Sequence, residues 1–491
     1  MCGIVGYFNK NSSRDYTDSV IEKMDALQKH RGPDSSGKFI NTEGNFGLKM
    51  CRLSILDLEL GIQPMHSNDK RFTIIFNGTI LNSPELRTDL ELKGIKFYTN
   101  NSDTEVLLNI MIFYGVDGIQ KLNGSFAFAF YDNQKKKLIC ARDRFGAAPF
   151  YYFFKNDTFC FASEMKSILL SKISSKEINM QSLSHYLSLH WVPGPETIIK
   201  DINKLSPGCF IEFDINNLSF KNKKWYHFNF EHNYSIQENE WPELILDSLR
   251  RSVKRATLSD VPMTCGLSGG LDSQAIVGLL SQIGHRPKTF ALGFEGCEEG
   301  QLNELKSAKR MAELYGTDHE EIVINEKEYF DDLDKMVYHL DQPYGGGLPL
   351  WHVFKNAGKD YSVMLTGLGG DEFFGNFGKW TLLEKTLFNL TNSKFQYKSL
   401  IFDRKSFFTD EFKKKLLDEN HLENLTNTSD YLFNILNENK TAKNIKDKIC
   451  YLDLTTQLPD EYSNMINKFS MANKIEARAP FLDNEFSELM L

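Results

Sequence analysis

The sequence predicts two halves of different fold class: an α+β sandwich of sheets and helices, followed by an α/β unit built on a parallel sheet. Before Trp241, the chain holds short segments rich in aromatic and β-branched residues that are typical of strands. After Trp241, strand and helix patterns alternate, as they do in a parallel sheet flanked by helices. A chain of 491 residues is also long enough for two or three hydrophobic cores.

In the first half, strands are predicted at residues 71–76, 125–131, 138–142 and 158–162. The second of these alternates phenylalanine and alanine, and an amphipathic helix is predicted at 104–114 from its apolar spacing. Turns rich in proline and glycine at 191–197 and 204–208 close this half. We therefore predict a first domain over residues 1–210 and a polar connector over 211–240.

In the second half, residues 241–491, the pattern predicts strands at 261–267, 288–293 and 362–365. Helices are predicted at 274–283 and at 303–314, the latter ended by Gly316, and several solvated helices are predicted between 381 and 448. Parallel sheets of this kind bind ligands beyond the carboxyl ends of their strands. We therefore expect the site of this half to follow its strands.

Composition and charge exclude several classes of protein. The chain is 41% hydrophobic, which favours neither a disordered nor a membrane protein, and we find no apolar run long enough to span a bilayer. Its net charge of −8 argues against a sequence-independent nucleic-acid binder. The 8 cysteines include no C-x-x-C pair, a pattern typical of reduced thiols, so we expect a cytoplasmic protein.

The stretch from Leu267 to Ser273, Leu-Ser-Gly-Gly-Leu-Asp-Ser, joins a predicted strand to a predicted helix. Free backbone N–H groups and the positive end of a helix meet at such a junction, where a polyphosphate can bind. The two glycines allow close approach, and Asp272 is a natural ligand for a Mg²⁺ that the phosphates also hold. For this stretch alone, a glycine-rich turn without a ligand is the alternative.

The chain begins Met-Cys-Gly. Methionine is normally removed before a small second residue, which would leave Cys2 with a free α-amine. With a pKa of about 8, that amine can serve as general base for the thiol of the same residue. For position 2 alone, a buried strand cysteine is the alternative.

Further motifs follow in a fixed order: Arg31-Gly32-Pro33-Asp34, Arg52-Leu53-Ser54-Ile55, Asn77-Gly78, Ser102-Asp103-Thr104-Glu105, Ala141-Arg142-Asp143-Arg144-Phe145-Gly146, Thr366-Gly367-Leu368-Gly369-Gly370-Asp371 and Glu476-Ala477-Arg478-Ala479-Pro480. Together with Cys2 and the loop after Leu267, they resemble the glutamine-dependent asparagine synthetase family over nearly the whole chain. The resemblance implies an N-terminal-nucleophile αββα sandwich with class II glutaminase activity. It also implies an ATP-pyrophosphatase-type α/β domain with added helices.

The resemblance also implies which residues form the sites. Cys2 would be the nucleophile, and Asn77 and Gly78 the oxyanion hole. Glutamine would be bound by Arg52, Leu53, Ile55, Leu56, Asn77, Gly78, Thr79 and Asp103, with Arg52 on its carboxylate and Asp103 on its ammonium. ATP would be bound by Leu267, Ser268, Gly269, Gly270, Asp272, Ser273, Leu292, Thr366 and Gly367. Asp272 and Asp371 would hold Mg²⁺.

The sequence departs from the family pattern at several positions. Thr79 stands where the family has a glutamate that contacts the amine of glutamine, and Cys51 replaces a histidine. On the acceptor side, Leu368 replaces an acidic residue, and the loop 342–349 differs from the family's. The family also continues further and carries a catalytic lysine beyond Leu491, so we expect either a shortened chain or the loss of that lysine.

The implied function is amide synthesis from aspartate, glutamine and ATP, with ammonia passing between the two sites inside the protein. Three alternatives stay open: a different carboxylate, such as a sugar uronic acid in surface-polysaccharide synthesis, which the motif at 367–380 favours; a glutaminase with a silent synthetase half; and a non-catalytic binding protein. The expected partners are small-molecule substrates, without nucleic acid or membrane. A homodimer is expected from the family alone.

Overall fold

The first half of the chain is a sandwich of two antiparallel sheets. In the computed structural model, which describes residues 1–297, 303–375, 394–398, 402–417 and 425–491, each of these sheets has 6 strands. The strands are β1 Gly3–Asn9, β2 Ser35–Ile40, β3 Phe46–Arg52, β4 Met65–His66, β5 Phe72–Ile80, β6 Gly124–Asp132, β7 Lys137–Arg142, β8 Tyr151–Lys155, β9 Thr158–Ala162, β10 Ile202–Lys204, β11 Cys209–Asp214 and β12 Ser219–Lys224. Their orders are β10-β8-β9-β1-β3-β2 and β12-β11-β7-β6-β5-β4.

Both faces of these sheets are covered, which gives the predicted αββα layers. On β6, Ala127 and Ala129 face the core between the sheets, while Phe126, Phe128 and Phe130 pack against helices on the outer face. The small residues therefore lie where the two sheets meet, and the large rings fill the space beneath the helices. The helices of this half are Arg14–Ala26, Ser83–Leu92, Asp103–Tyr114, Met165–Leu170 and Met180–Leu189.

The second half contains a parallel sheet of 5 strands in the order β15-β14-β13-β16-β17. The strands are β13 Met263–Gly266, β14 Lys288–Phe294, β15 His319–Ile324, β16 Val363–Leu365 and β17 Glu476–Arg478. The described helices of this half are Trp241–Ala256, Leu271–Gln282, Leu305–Tyr315, Glu326–Asp331, Leu333–Leu340, Leu350–Ala357, Gly370–Phe374, Lys394–Tyr397, Asp403–Lys405, Asp410–Leu416, Thr428–Leu436, Ile445–Leu452, the π-helix Asp453–Tyr462, Ser463–Ala472 and Asn484–Met490. Gly316 ends the third of them with φ 63°, as predicted.

The structure corrects three predictions about elements. The polar stretch predicted as a connector contains β12, which pairs along its whole length with β11 in the second sheet. The helix predicted at 104–114 is not two-faced, because nearly all of its first nine residues are buried. The Glu-Ala-Arg motif at 476–478 is a sheet strand, not part of a helical cover over the acceptor site. Residues 376–380 and parts of the predicted helical region 381–448 lie outside the described residues.

The two halves share a hydrophobic core. Leu53, Ile55 and Leu56 of the first half belong to the same buried cluster as Leu267 and Ile276 of the second. These three residues, which follow β3, therefore pack into the same core as the parallel sheet. Among the described residues, no helix combines the length and the apolar character that crossing a membrane requires.

Candidate active sites

Cys2 lies immediately before β1; it is buried, and its backbone is held by two hydrogen bonds. Its N–H donates to Asn77 Oδ1 at 2.8 Å, and its carbonyl accepts from Arg31 Nε at 3.1 Å. Burial raises the pKa of the Cys2 thiol, although the nearby N-terminal ammonium opposes the shift. The thiol is therefore neutral near pH 7 and needs a base before it can attack.

Asn77 and Gly78 follow one another on β5, where the strand passes Cys2. Asn77 is fully buried; its Oδ1 is occupied by the Cys2 N–H, and its Nδ2 has no hydrogen-bond partner in the described part of the chain. Gly78 has φ 144°, a backbone conformation that side chains rarely adopt, and a Cβ there would overlap the carbonyl of Ser125. A buried amide donor left unpaired costs free energy unless a ligand accepts from it. This is the property required of an oxyanion hole.

A cavity of about 30 Å³ next to Cys2 is lined by Met1, Arg52, Leu53, Ile55, Leu56, Gln63, Phe76, Gly78, Thr79, Asp103, Thr104 and Glu476. It is small because Met1 is buried there and packs with the apolar wall of residues 53–56. A volume of this size holds about one water molecule. Removal of Met1 would free both the pocket and the Cys2 α-amine.

The sequence-predicted glutamine ligands other than Asn77 line this cavity, and both Arg52 and Asp103 already have protein partners. Arg52 donates from Nη2 to the carbonyls of Leu56 and Asp57, each at 2.8 Å, and so fixes the loop that forms the apolar wall. Asp103 Oδ2 accepts from the Ile80 N–H at 3.0 Å. Burial raises the pKa of Asp103 to about 6.

Thr79 does not point into open space. Its hydroxyl donates to Glu476 Oε1 at 2.7 Å, and that carboxylate comes from β17 of the second half. Glu476 also accepts from Arg478 Nε at 2.7 Å and forms an ion pair with the ammonium of Met1. The pocket of the first half is therefore closed by a residue of the second.

The second predicted site begins at the carboxyl end of β13. The loop after Leu267 is folded on itself: Ser268 N–H donates to Ser273 Oγ at 2.9 Å, and Gly270 N–H donates to Ser268 Oγ at 3.1 Å. Gly269 N–H donates to Glu304 Oε2 at 2.9 Å. A carboxylate oxygen of Glu304 thus accepts from a backbone N–H of the loop. A phosphate oxygen could accept from the same N–H in the same way.

The loop after β16 packs directly against this loop. A Cβ on Gly367 would lie 2.9 Å from Asp272 Cβ, and one on Gly370 would clash with the Asp272 carboxylate. Burial raises the pKa of Asp272 to about 6, and the charge of Asp371 adds to the shift. Two neighbouring carboxylates whose charges repel suit Mg²⁺, which takes one or two protein carboxylates together with phosphate oxygens.

The two other predicted nucleotide ligands lie on the same sheet. Leu292 is a half-buried residue of β14, and Thr366 follows β16, where its N–H donates to the Arg478 carbonyl at 2.8 Å. Among the described residues, no group of three histidine, cysteine or carboxylate side chains is placed to hold a metal by itself. A metal at Asp272 and Asp371 would therefore depend on phosphate for its remaining ligands.

Comparisons with known proteins match the two halves of the chain to different family models. A family model described as "Glutamine amidotransferase domain" matches residues 1–226, and one described as "Asparagine synthase" matches residues 244–491. Asparagine synthetase [glutamine-hydrolyzing] 1 of Bacillus subtilis is 34% identical over 517 residues, which cover 98% of this chain and 79% of the relative. The chain belongs to the glutamine-hydrolysing asparagine synthetase family.

Two further comparisons are with a second relative and with a solved structure. A putative asparagine synthetase of Methanocaldococcus jannaschii is 34% identical over 77% of this chain and 76% of its own length. A solved PRPP amidotransferase from B. subtilis aligns over 76% of this chain and 77% of its own, at 14% identity and a TM-score of 0.34, a likeness from which nothing further follows.

The structure gives physical roles to several departures from the family pattern. Leu368 packs against an apolar cluster that includes Phe145 and Leu458. Gln342 accepts through Oε1 from the Ile198 N–H at 3.1 Å, at the junction of the two halves. Cys51 is buried opposite Gly3 and donates to the Gln28 carbonyl at 3.4 Å.

Sequence reasoning missed the roles of three residues near the sites. Arg31 donates to the Cys2 carbonyl, and Glu304 accepts from the Gly269 N–H in the loop after β13. Glu476 accepts from Thr79 and closes the cavity next to Cys2. Arg31 and Glu476 were within quoted motifs, so the signal was present without the contact. Nothing in the sequence around Glu304 indicated its partner.

Proposed function

We propose that this chain makes an amide from a carboxylate, with glutamine as the nitrogen donor and ATP as the activating substrate. The observation that carries the proposal is the unpaired Nδ2 of Asn77 beside Cys2, in a chain that also brings two glycine loops and two carboxylates together at the ends of a parallel sheet. Each arrangement suits one half-reaction. We propose the cytoplasm as the location, small molecules as the only substrates, and a homodimer as the assembly.

In the first half-reaction, the Cys2 α-amine, free after removal of Met1, takes the thiol proton. The sulfur attacks the amide carbon of glutamine, and the oxyanion that forms accepts from Asn77 Nδ2 and the Gly78 N–H. The proton passes to the leaving ammonia, and water then hydrolyses the thioester to glutamate. Arg52 and Asp103 orient the substrate through its carboxylate and ammonium.

In the second half-reaction, the acceptor carboxylate attacks the α-phosphate of ATP, and pyrophosphate leaves. The backbone N–H groups and serine hydroxyls of the loop 268–273 bind the phosphates, with Leu292, Thr366 and Gly367 around the nucleotide. Mg²⁺ held by Asp272 and Asp371 would neutralise charge on the departing pyrophosphate. Ammonia from the first site then displaces AMP from the acyl-adenylate, which yields the amide.

Aspartate is the acceptor that the family suggests, and its amidation gives asparagine. A second candidate is a different carboxylate, such as a sugar uronic acid, because the apolar packing of Leu368 puts no acidic group at that position. The same observation also favours a third candidate, a glutaminase whose synthetase half is silent.

The test is AMP release from ATP in the presence of glutamine and magnesium, with and without aspartate. Aspartate-dependent AMP with an equal amount of asparagine would support the first candidate. AMP release that requires a uronic acid instead would support the second. Glutamate formation without AMP release for any carboxylate would contradict the synthetase reaction and leave the glutaminase.

A further inference from the structure

Glu476 is a buried carboxylate in the glutamine pocket although it belongs to the synthetase half. It is 1% exposed, and its two oxygens have different partners. Oε1 accepts from the Thr79 hydroxyl and from Arg478 Nε, each at 2.7 Å. Oε2 is paired with the ammonium of Met1. The partners of Oε1 are therefore side chains that stay in place, whereas the partner of Oε2 is lost when Met1 is removed.

The Met1 ammonium marks a place where a primary ammonium fits. Removal of Met1, which the proposed glutaminase chemistry requires, would leave Oε2 of Glu476 facing the enlarged pocket. A buried carboxylate oxygen without a partner is costly, so the site favours a cation that can donate to it. Glutamine carries such a group, because its α-ammonium, like that of Met1, is a primary ammonium on a carbon chain of similar width.

We propose that Glu476 binds the α-ammonium of glutamine in the processed enzyme, so that the synthetase half supplies a ligand for the substrate of the glutaminase half. The inference rests on the proposed function, and it adds to it a specificity residue outside the glutaminase motifs. Asp103 lines the same cavity, so the ammonium would be bound between two carboxylates from different halves.

The charge of Glu476 suits this role. Burial would raise the pKa of its carboxyl, but the Met1 ammonium and Arg478 outweigh burial and lower the pKa to about 2. Arg478 remains after processing, and the substrate ammonium would take the place of the terminal one. By contrast, burial keeps the pKa of Asp103 near 6, with Glu476 adding to the rise. With Met1 in place, Glu476 is therefore the more firmly ionised of the two.

The test compares glutamine with glutaramate, the analogue that lacks only the α-amine, in the wild-type enzyme and in Glu476→Gln. The substitution keeps an oxygen acceptor for Thr79 and Arg478 and removes the negative charge from the pocket. We expect kcat/KM for glutamine to fall by about tenfold or more, mostly through KM, while kcat/KM for glutaramate hardly changes. Glu488→Gln, which removes an exposed partner of Arg144, is the matched control and should change neither value.

Equal losses for the two substrates would overturn the proposal, since they would mean that Glu476 only supports the fold; an unchanged glutamine value would overturn it as well. If Glu476→Gln does not fold, Glu476→Asp is used, and the same selective loss for glutamine is expected from the shorter reach. A wild-type enzyme that hydrolyses no glutamine would contradict the proposed function instead. In that case, calorimetric binding of glutamine and glutaramate to the same variants decides on Glu476.

Discussion

Asn77 links the position of the proposed nucleophile, Cys2, to the proposed oxyanion hole. Its amide oxygen holds the nitrogen of Cys2, which becomes the proposed general base, and its amide nitrogen is left for the oxyanion. A single planar group thus fixes the distance between base and oxyanion donor. Few side chains offer both an acceptor and a donor in one rigid plane.

We predict that Asn77→Ala lowers kcat for glutamine hydrolysis by about a hundredfold or more, because one oxyanion donor is lost. Synthesis driven by added ammonia should be unaffected, since it bypasses the first site. The measurement is glutamate release compared with ammonia-dependent AMP release. Asn68→Ala, at an exposed asparagine bonded to Tyr98, is the control. Equal losses in both reactions would show that the variant disturbs the fold.

We predict that KM for glutamine depends on pH through the carboxyl group of Asp103. Burial raises the pKa of its carboxyl to about 6, so the group is protonated below that pH and loses its attraction for an ammonium. KM for glutamine should therefore rise as the pH falls through about 6, and Asp103→Asn should have a high KM that no longer changes there. A wild-type KM that stays constant across this range would contradict the assignment.

At the scale of residues, the sequence predicted several side chains that the structure brings close together. Cys2, Asn77 and Gly78 lie together as expected, because their motif strands β1 and β5 belong to the two facing sheets. The partnership of Thr79 with Glu476 could not be predicted, since the two residues are far apart in the chain and meet only where β17 reaches the first half.

Among the elements, the two glycine loops after β13 and β16 form the proposed nucleotide site. They pack so closely that Gly367 and Gly370 have no room for a side chain beside Asp272. The carboxylate is thereby held at the junction of two strand ends, which is where parallel sheets bind ligands.

We predict that Gly370→Ala abolishes ATP-dependent AMP release while glutamine hydrolysis continues, because the added methyl group would displace the Asp272 carboxylate. Gly266→Ala is the matched control on the same sheet, since its Cβ would meet only the Leu365 carbonyl at 3.9 Å. The measurement is AMP and glutamate release in both variants. Unchanged AMP release from Gly370→Ala would remove Asp272 from the site.

The errors in element prediction have physical causes. Strand β12 was predicted as connector because its sequence, Ser-Phe-Lys-Asn-Lys-Lys, is polar; as an edge strand, it exposes its last four residues to solvent. Lysines are common on such edges, where they oppose pairing with other chains. The helix Asp103–Tyr114 was predicted as amphipathic, but it is covered by the sheet below and by neighbouring helices.

On the scale of the whole molecule, the halves are joined by buried charges as well as by the shared core. Asp341 accepts from the Lys166 N–H at 2.8 Å and from Lys468 Nζ at 3.1 Å. Lys468 is completely buried, and burial lowers its pKa to about 8. Asp341 therefore binds buried cations and backbone at the junction of the halves.

We predict that Asp341→Asn lowers the free energy of unfolding by about 3 kcal/mol, because it removes the carboxylate that forms an ion pair with the buried Lys468. Thermal unfolding at one fixed pH measures this. The control Glu488→Gln breaks an ion pair whose carboxylate is 59% exposed, and should cost less than about 1 kcal/mol. A melting temperature equal to that of wild type would contradict a structural role for Asp341.

The central claim is that one chain moves nitrogen from glutamine to an activated carboxylate. The most direct measurement supplies glutamine labelled with heavy nitrogen in its amide, together with ATP, magnesium, aspartate and unlabelled ammonium, and follows the label by mass spectrometry. We predict labelled amide product in a one-to-one ratio with AMP. Label found only in free ammonium, with glutamate formed and no AMP released, would contradict the claim.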